Sequence, residues 1–158
     1  MAPLLAALAV AIPITSTLAA APAIAADTAS HLEANTLEIV ASGTAHRFTV
    51  EIADEPAQRQ KGLMYRQQLA PDAGMLFDFG EPQQIAMWMK NTYIPLDMLF
   101  IAGDGTIRNI AENTVPFSLD AIASRGPVRF VLEVPGGTAA RLGLKAGDKV
   151  RHPLIGAE

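Results

Sequence analysis

The run Met87-Trp88-Met89-Lys90-Asn91-Thr92-Tyr93-Ile94-Pro95-Leu96-Asp97 sets a cation, an amide, a hydroxyl and a carboxylate between two strongly apolar stretches, and it holds the only tryptophan of the chain. Such groups are costly to bury unless each finds a defined partner. The run is therefore either a fixed internal network or the lining of a site. As a lining, Trp88 offers a flat apolar face while Lys90, Asn91, Thr92 and Asp97 orient a polar ligand, with Arg66 nearby. As a network, Lys90 lies over the Trp88 ring and Asp97 forms a structural ion pair at the start of a buried strand. Lys90 is then the natural partner of Asp97, and the Asn91 and Thr92 amides come next. If the carboxylate is functional instead, Asp97 has a shifted pKa and serves as acid or base.

Other chemistry is less sharply drawn. Asp78, Asp97, Glu112 and Glu133 could supply paired carboxylates, and a hydrolase or lyase would use Asp97 or Glu133. Met87 and Met89 share one face with Ile85 by a period of two, which fits a soft Cu(I) site with Met64 or Met75 as further ligands. The alternative is thioethers filling gaps in a core, and no histidine lies near enough in sequence to complete a mixed site. His31, His46 and His152 have no zinc-ligand spacing, Ser124 has no nucleophile setting, and Gly136-Gly137 leads into no phosphate loop. No cofactor is implied.

Composition narrows the class. The net charge is −4, which argues against nucleic acid, since a binder of nucleic acid should show a basic face. With no cysteine there is neither a disulfide framework nor a thiol nucleophile. Residues 1–26 carry no charged side chain, and Ala23 and Ala25 fit the small-residue pattern of a secretory signal cleaved after Ala25. Pro3, Pro13 and Pro22 make this stretch a poor spanning helix. The expected organisation is a signal peptide over 1–25, a flexible leader over 26–35 and one domain over 36–155. The protein is thus expected in the periplasm or secreted, with no membrane span after cleavage.

The elements that must position these residues read as mainly β. Residues 36–40 and 46–52 alternate around a Ser42-Gly43 turn, which makes a hairpin with one wet side. Asp54 caps a helix over 56–66 with Pro56 in its first turn. Strands follow over 75–79, 84–91 and 97–102, and Asp104-Gly105 joins the last to 106–111. A loop covers 112–126, a strand begins at Val128, a short helix spans 138–142, and Gly147-Asp148 turns into a last strand over 149–152. The sum is a small antiparallel β-barrel or sandwich with one or two short helices.

Several of these segments resemble a known family. Arg59-Gln60-Lys61-Gly62-Leu63-Met64-Tyr65-Arg66, Gly74-Met75-Leu76-Phe77-Asp78-Phe79, Trp88-Met89-Lys90-Asn91-Thr92 through Ile94-Pro95-Leu96-Asp97, and Val131-Leu132-Glu133-Val134 with Gly147-Asp148 look like the family catalogued as domain of unknown function 192. The resemblance spans residues 36–152 and is weakest over 115–124. It implies a small bacterial or archaeal β-barrel, often exported, with no established activity. The leading expectation is a non-catalytic binding module for a polar small molecule or cell-envelope component. The others are the hydrolase or lyase above and an interaction protein with no small-molecule site. Neither ligand nor oligomeric state is written in the sequence.

Overall fold

A computed structural model describes residues 33–156; the expected signal peptide and most of the leader lie outside them. Nine strands and two helices follow in the order β1 Thr36–Ala41, β2 Thr44–Ala53, α1 Pro56–Lys61, β3 Ala73–Gln83, β4 Ala86–Met87, β5 Leu96–Ile101, β6 Ile107–Ala111, β7 Ile122–Ala123, β8 Val128–Pro135, α2 Thr138–Leu142 and β9 Lys149–Arg151. Seven strands form one sheet in the order β6-β5-β8-β3-β2-β1-β9, and β4 pairs with β7 in a small second sheet. The mainly β class with two short helices is as expected. One pair departs from the antiparallel rule: β2 and β3 run parallel, with Thr49 opposite Ala73. A parallel pair cannot be joined by a tight turn, so the chain crosses over through α1 and the segment after it.

The sheet curls until its outer strands meet. Thr106 bridges Lys149, Ile107 N–H donates to the Asp148 carbonyl at 3.0 Å, and Val150 N–H donates to the Gly105 carbonyl at 2.8 Å. Gly105 is required at this seam, because it sits at φ +81° and a β-carbon there would strike the Val150 carbonyl oxygen.

Strand periodicity then sorts the side chains onto two faces. Leu99 and Ile101 of β5, Phe130, Leu132 and Val134 of β8, and Leu76 of β3 point into the curl, where they meet Leu37, Ile39, Phe48 and Val50. Leu96, Met98 and Phe100, with Val131, Met75 and Phe77, point outward and form a second core under Leu63, Ile85 and Met89. The central strands are thus buried on both faces, which is why β5 and β8 read as near-continuous apolar runs.

The cover over the outer face holds the main departures from expectation. The strand expected over 84–91 shrinks to Ala86–Met87, whose partner is Ile122–Ala123 within the segment expected to be all loop. Ile85 and Met89 are buried as the alternation requires, but their job is to cap the sheet rather than to join it. The helix from Pro56 ends at Lys61, not Arg66, because Gly62 turns the chain at φ +46° against the Phe77 ring. Its cap is Glu55, and the Gln58 side-chain oxygen accepts the N–H groups of Asp54 and Glu55.

Candidate functional site

Between the outer face of the sheet and this cover lies a cleft of about 230 Å³. The sheet contributes Phe77, Phe79 and Glu133; α1 and the turn after it contribute Arg59, Lys61 and Met64; the 86–92 segment contributes Met87, Trp88, Lys90 and Thr92. Trp88 and Lys90 also wall a second, more open hollow shared with Tyr65 and Asn91.

The lip is rigidly made. Lys90 Nζ lies 5.0 Å from the Trp88 ring centroid, a cation–π contact that holds both side chains while leaving the indole half exposed. The turn beneath them is fixed by Thr92, whose hydroxyl donates to the Lys90 carbonyl at 3.2 Å and whose N–H donates to the Met89 carbonyl at 3.1 Å. Asn91 takes the left-handed conformation at φ +54°, which an asparagine tolerates better than most residues. Its side-chain amide donates to the Tyr65 hydroxyl at 2.9 Å, and its carbonyl accepts the Tyr65 N–H at 2.8 Å. Among the described residues neither Lys61 nor Lys90 enters a salt bridge. Arg59 is spent on backbone carbonyls, donating to those of Asp54 and Asp78.

Glu133 is the unusual group of the cleft. It sits on the outward face of β8 with Met75 and Met98 as its cross-strand neighbours, and it is 4% exposed. Among the described residues no side chain or backbone N–H is found donating to its carboxyl, which borders the cleft, and burial pushes its pKa up to about 8. At neutral pH it is therefore largely a neutral acid, able to donate a hydrogen bond into the cleft.

The sequence-predicted residues divide cleanly. Trp88, Lys90 and Thr92 line the cleft, Asn91 faces the adjoining hollow, and Glu133 lies at the cleft floor. Asp97 does not join them. It is fully buried on the inner face of β5, and its carboxylate accepts N–H groups from Asn113 at 2.7 Å, Gly137 at 3.1 Å and Ala139 at 2.7 Å. It caps the start of α2 from across the fold, so Lys90 is not its partner. Arg66 is likewise outside the cleft, held by Glu51 at 2.6 Å. The methionines scatter too: Met64 and Met87 line the cleft, while the Met89 sulfur is buried 3.1 Å from the Thr114 hydroxyl. Sequence reasoning missed Lys61, Phe77 and Phe79 as lining. Their signal was their place in the segments 59–66 and 74–79 that carry the family resemblance.

The model of the domain of unknown function 192 family, described as an uncharacterised ACR, matches residues 37–152. The chain belongs to this family. Two crystal structures of similar proteins share its fold. One, from Sinorhizobium meliloti 1021 and described as a proposed transcription regulator, is 59% identical, with a TM-score of 0.72 over 73% of this chain and 91% of its own. The other, a protein of unknown function from Novosphingobium aromaticivorans, is 41% identical, with a TM-score of 0.73 over 84% of this chain and 94% of its own. No curated protein matches.

Proposed function

We propose that this family member is an exported, non-catalytic binding module whose cleft takes a small polar molecule with one flat or apolar face and an anionic group. The observation that carries the reading is the Glu133 carboxyl, its pKa raised by burial, in a cleft lined also by Trp88 and Lys90. The ring supplies a stacking face, Lys90 and Lys61 attract an anion, and the neutral Glu133 donates to a carbonyl, hydroxyl or carboxylate at depth. An acidic sugar or a fragment of acidic envelope material has this chemistry. Export rests on the apolar, uncharged start of the chain.

A hydrolase or lyase is the second reading, favoured by the pKa of Glu133, which suits a general acid. It lacks a partner: Glu133 is the sole carboxylate among the lining residues, whereas glycoside hydrolysis uses two. The role proposed for the S. meliloti relative gains little support from a chain of net charge −4.

The test is a titration of the protein with glucuronate, N-acetylmuramate and neutral sugars, followed by Trp88 fluorescence. A saturable change with an acidic sugar, weakened in Lys90→Ala and Glu133→Ala, supports the module. A flat response to every compound overturns it, and turnover that is lost in Glu133→Gln moves the assignment to the enzyme.

A further inference from the structure

A second surface stands beside the cleft. The large apolar side chains exposed among the described residues are Tyr65, Trp88, Tyr93, Val115, Phe117 and Leu119. All of them lie on three segments stitched together by backbone hydrogen bonds: Tyr65 N–H to the Asn91 carbonyl, Met89 N–H to the Ser118 carbonyl, and Phe117 N–H to the Thr92 carbonyl. Tyr65 and Tyr93 meet edge to face with centroids 6.2 Å apart, and Tyr93 and Phe117 follow at 5.2 Å. Leu119 and Val115, each 68% exposed, and Phe117 at 56% make the loop between β6 and β7 the most apolar projection of the described surface. Tyr65, Tyr93 and Phe117 thus form a contiguous exposed aromatic patch, and such patches mark contact surfaces.

The backbone adds a second sign. Tyr65 at φ +65° and Phe117 at φ +63° occupy the left-handed region, where a bulky side chain is strained. Two such residues in one exposed cluster indicate a conformation kept for what it presents.

Charge selects the partner. The chain is acidic, with a net charge of −4, yet Lys61 and Lys90 stand together beside Tyr65 and Trp88 at the edge of this patch. Among the described residues neither lysine enters a salt bridge, and both have long flexible stems. Tryptophan and tyrosine with lysine at the edge of an aliphatic projection are the composition of a membrane interface. A second copy docked on this face would set the same cations against each other.

We propose that the aromatic end formed by Tyr65, Tyr93, Val115, Phe117 and Leu119, flanked by Lys61 and Lys90, docks on the surface of an anionic lipid bilayer. The loop tip enters the interface, and the lysines engage the lipid phosphates. The cleft then opens beside the membrane surface, within reach of material attached to it.

The experiment uses residues 26–158, so that the apolar start of the chain does not itself bind lipid. Both apolar cores lie within this part, and so does the span 37–152 that the family model matches. Co-sedimentation is measured with vesicles of phosphatidylcholine alone and with phosphatidylglycerol added. Binding is expected only with phosphatidylglycerol, to fall as salt rises, and to weaken at least about tenfold in Val115→Ser/Phe117→Ser/Leu119→Ser. Brominated lipid is expected to quench Trp88 in the unmodified protein, which keeps the test decisive should the triple variant fail to fold. Absence of both sedimentation and quenching overturns the proposal. Binding unchanged in a folded triple variant overturns it as well, as does a dimer in solution that this variant abolishes.

Discussion

Asp97 and Glu133 stand one residue out of register on adjacent antiparallel strands, and their carboxyl groups lie on opposite faces of the same sheet. Asp97 pairs with Val134 and Glu133 with Met98. The period of two sends one carboxyl inward to the start of α2 and the other outward to the cleft. Both are buried, but they cannot share a substrate. Their environments are opposite in kind: one accepts three backbone N–H groups, and the other borders the cleft with burial raising its pKa. One carboxylate holds the fold together, and the other weakens it.

That contrast predicts opposite outcomes for the same change. Asp97→Asn sets an amide against three donors and leaves at least one of them buried without an acceptor. It is expected to lower stability by about 3 kcal/mol. Urea denaturation followed by circular dichroism measures it. A loss below about 1 kcal/mol would deny Asp97 its structural role.

Glu133→Gln should stabilise the protein, and only over a defined pH range. The pKa of Glu133 is raised in the folded state, from an ordinary value of 4.5 to about 8. Below pH 4.5 both folded and unfolded chains hold the proton, and the variant should match the parent. Between pH 4.5 and 8 the unfolded chain releases a proton that the folded chain keeps, so the parent loses up to about 1.4 kcal/mol per pH unit. Above pH 8 the difference is constant. Melting curves at pH 4, 6 and 8.5 should therefore diverge in favour of Glu133→Gln as pH rises; parallel curves would mean that Glu133 has a partner in solution.

How much of this was legible in the sequence depends on the range of the interactions. The β1–β2 hairpin, β5, β8, the Asp104-Gly105 turn and α2 follow from local pattern, because the alternation of Phe48, Val50 and Ile52 or the helix between Gly137 and Gly143 is set by neighbours. The 84–91 segment misled, since its true alternation of Ile85, Met87 and Met89 serves a covering layer. A period of two records burial of alternate residues and does not say whether the backbone pairs. Sequence proximity offers Asp97 the Lys90 ammonium or the Asn91 and Thr92 amides, whereas its partners are the backbone N–H groups of Asn113, Gly137 and Ala139, brought together only by the fold. Glu133 carries a local signal, a lone acid in the apolar run Val131-Leu132-Glu133-Val134, and the nearest cation on its strand face, Arg129, is taken by Asp78. Lys61 and Phe77 reach the cleft through the crossover after β2, which no local pattern reveals.

The seam of the curled sheet gives a third prediction. Gly105→Ala places a side chain at φ +81° and drives its β-carbon into the Val150 carbonyl. The backbone cost alone is about 1–2 kcal/mol, and parting the seam adds the bond from Val150 N–H to Gly105. Lower stability should come with faster amide exchange at Val150, read by hydrogen exchange. Slower or unchanged exchange there would mean that the edges do not meet in solution.

Phe117→Gly separates stability from function in the aromatic end. A glycine accepts φ +63° freely, so the variant sheds a strain of about 1 kcal/mol while giving up an exposed ring contact with Tyr93. A side chain kept for folding should cost stability when removed. One kept for contact should not. The expected outcome is a melting temperature equal to or above that of the parent, with binding to phosphatidylglycerol vesicles reduced. The same variant at an ordinary exposed position in the right-handed region would show the reverse, because glycine there only adds freedom to the unfolded chain. A clear drop in melting temperature would mean that the Phe117 ring supports the loop, and the strain would then be a by-product of packing rather than a mark of the surface it presents.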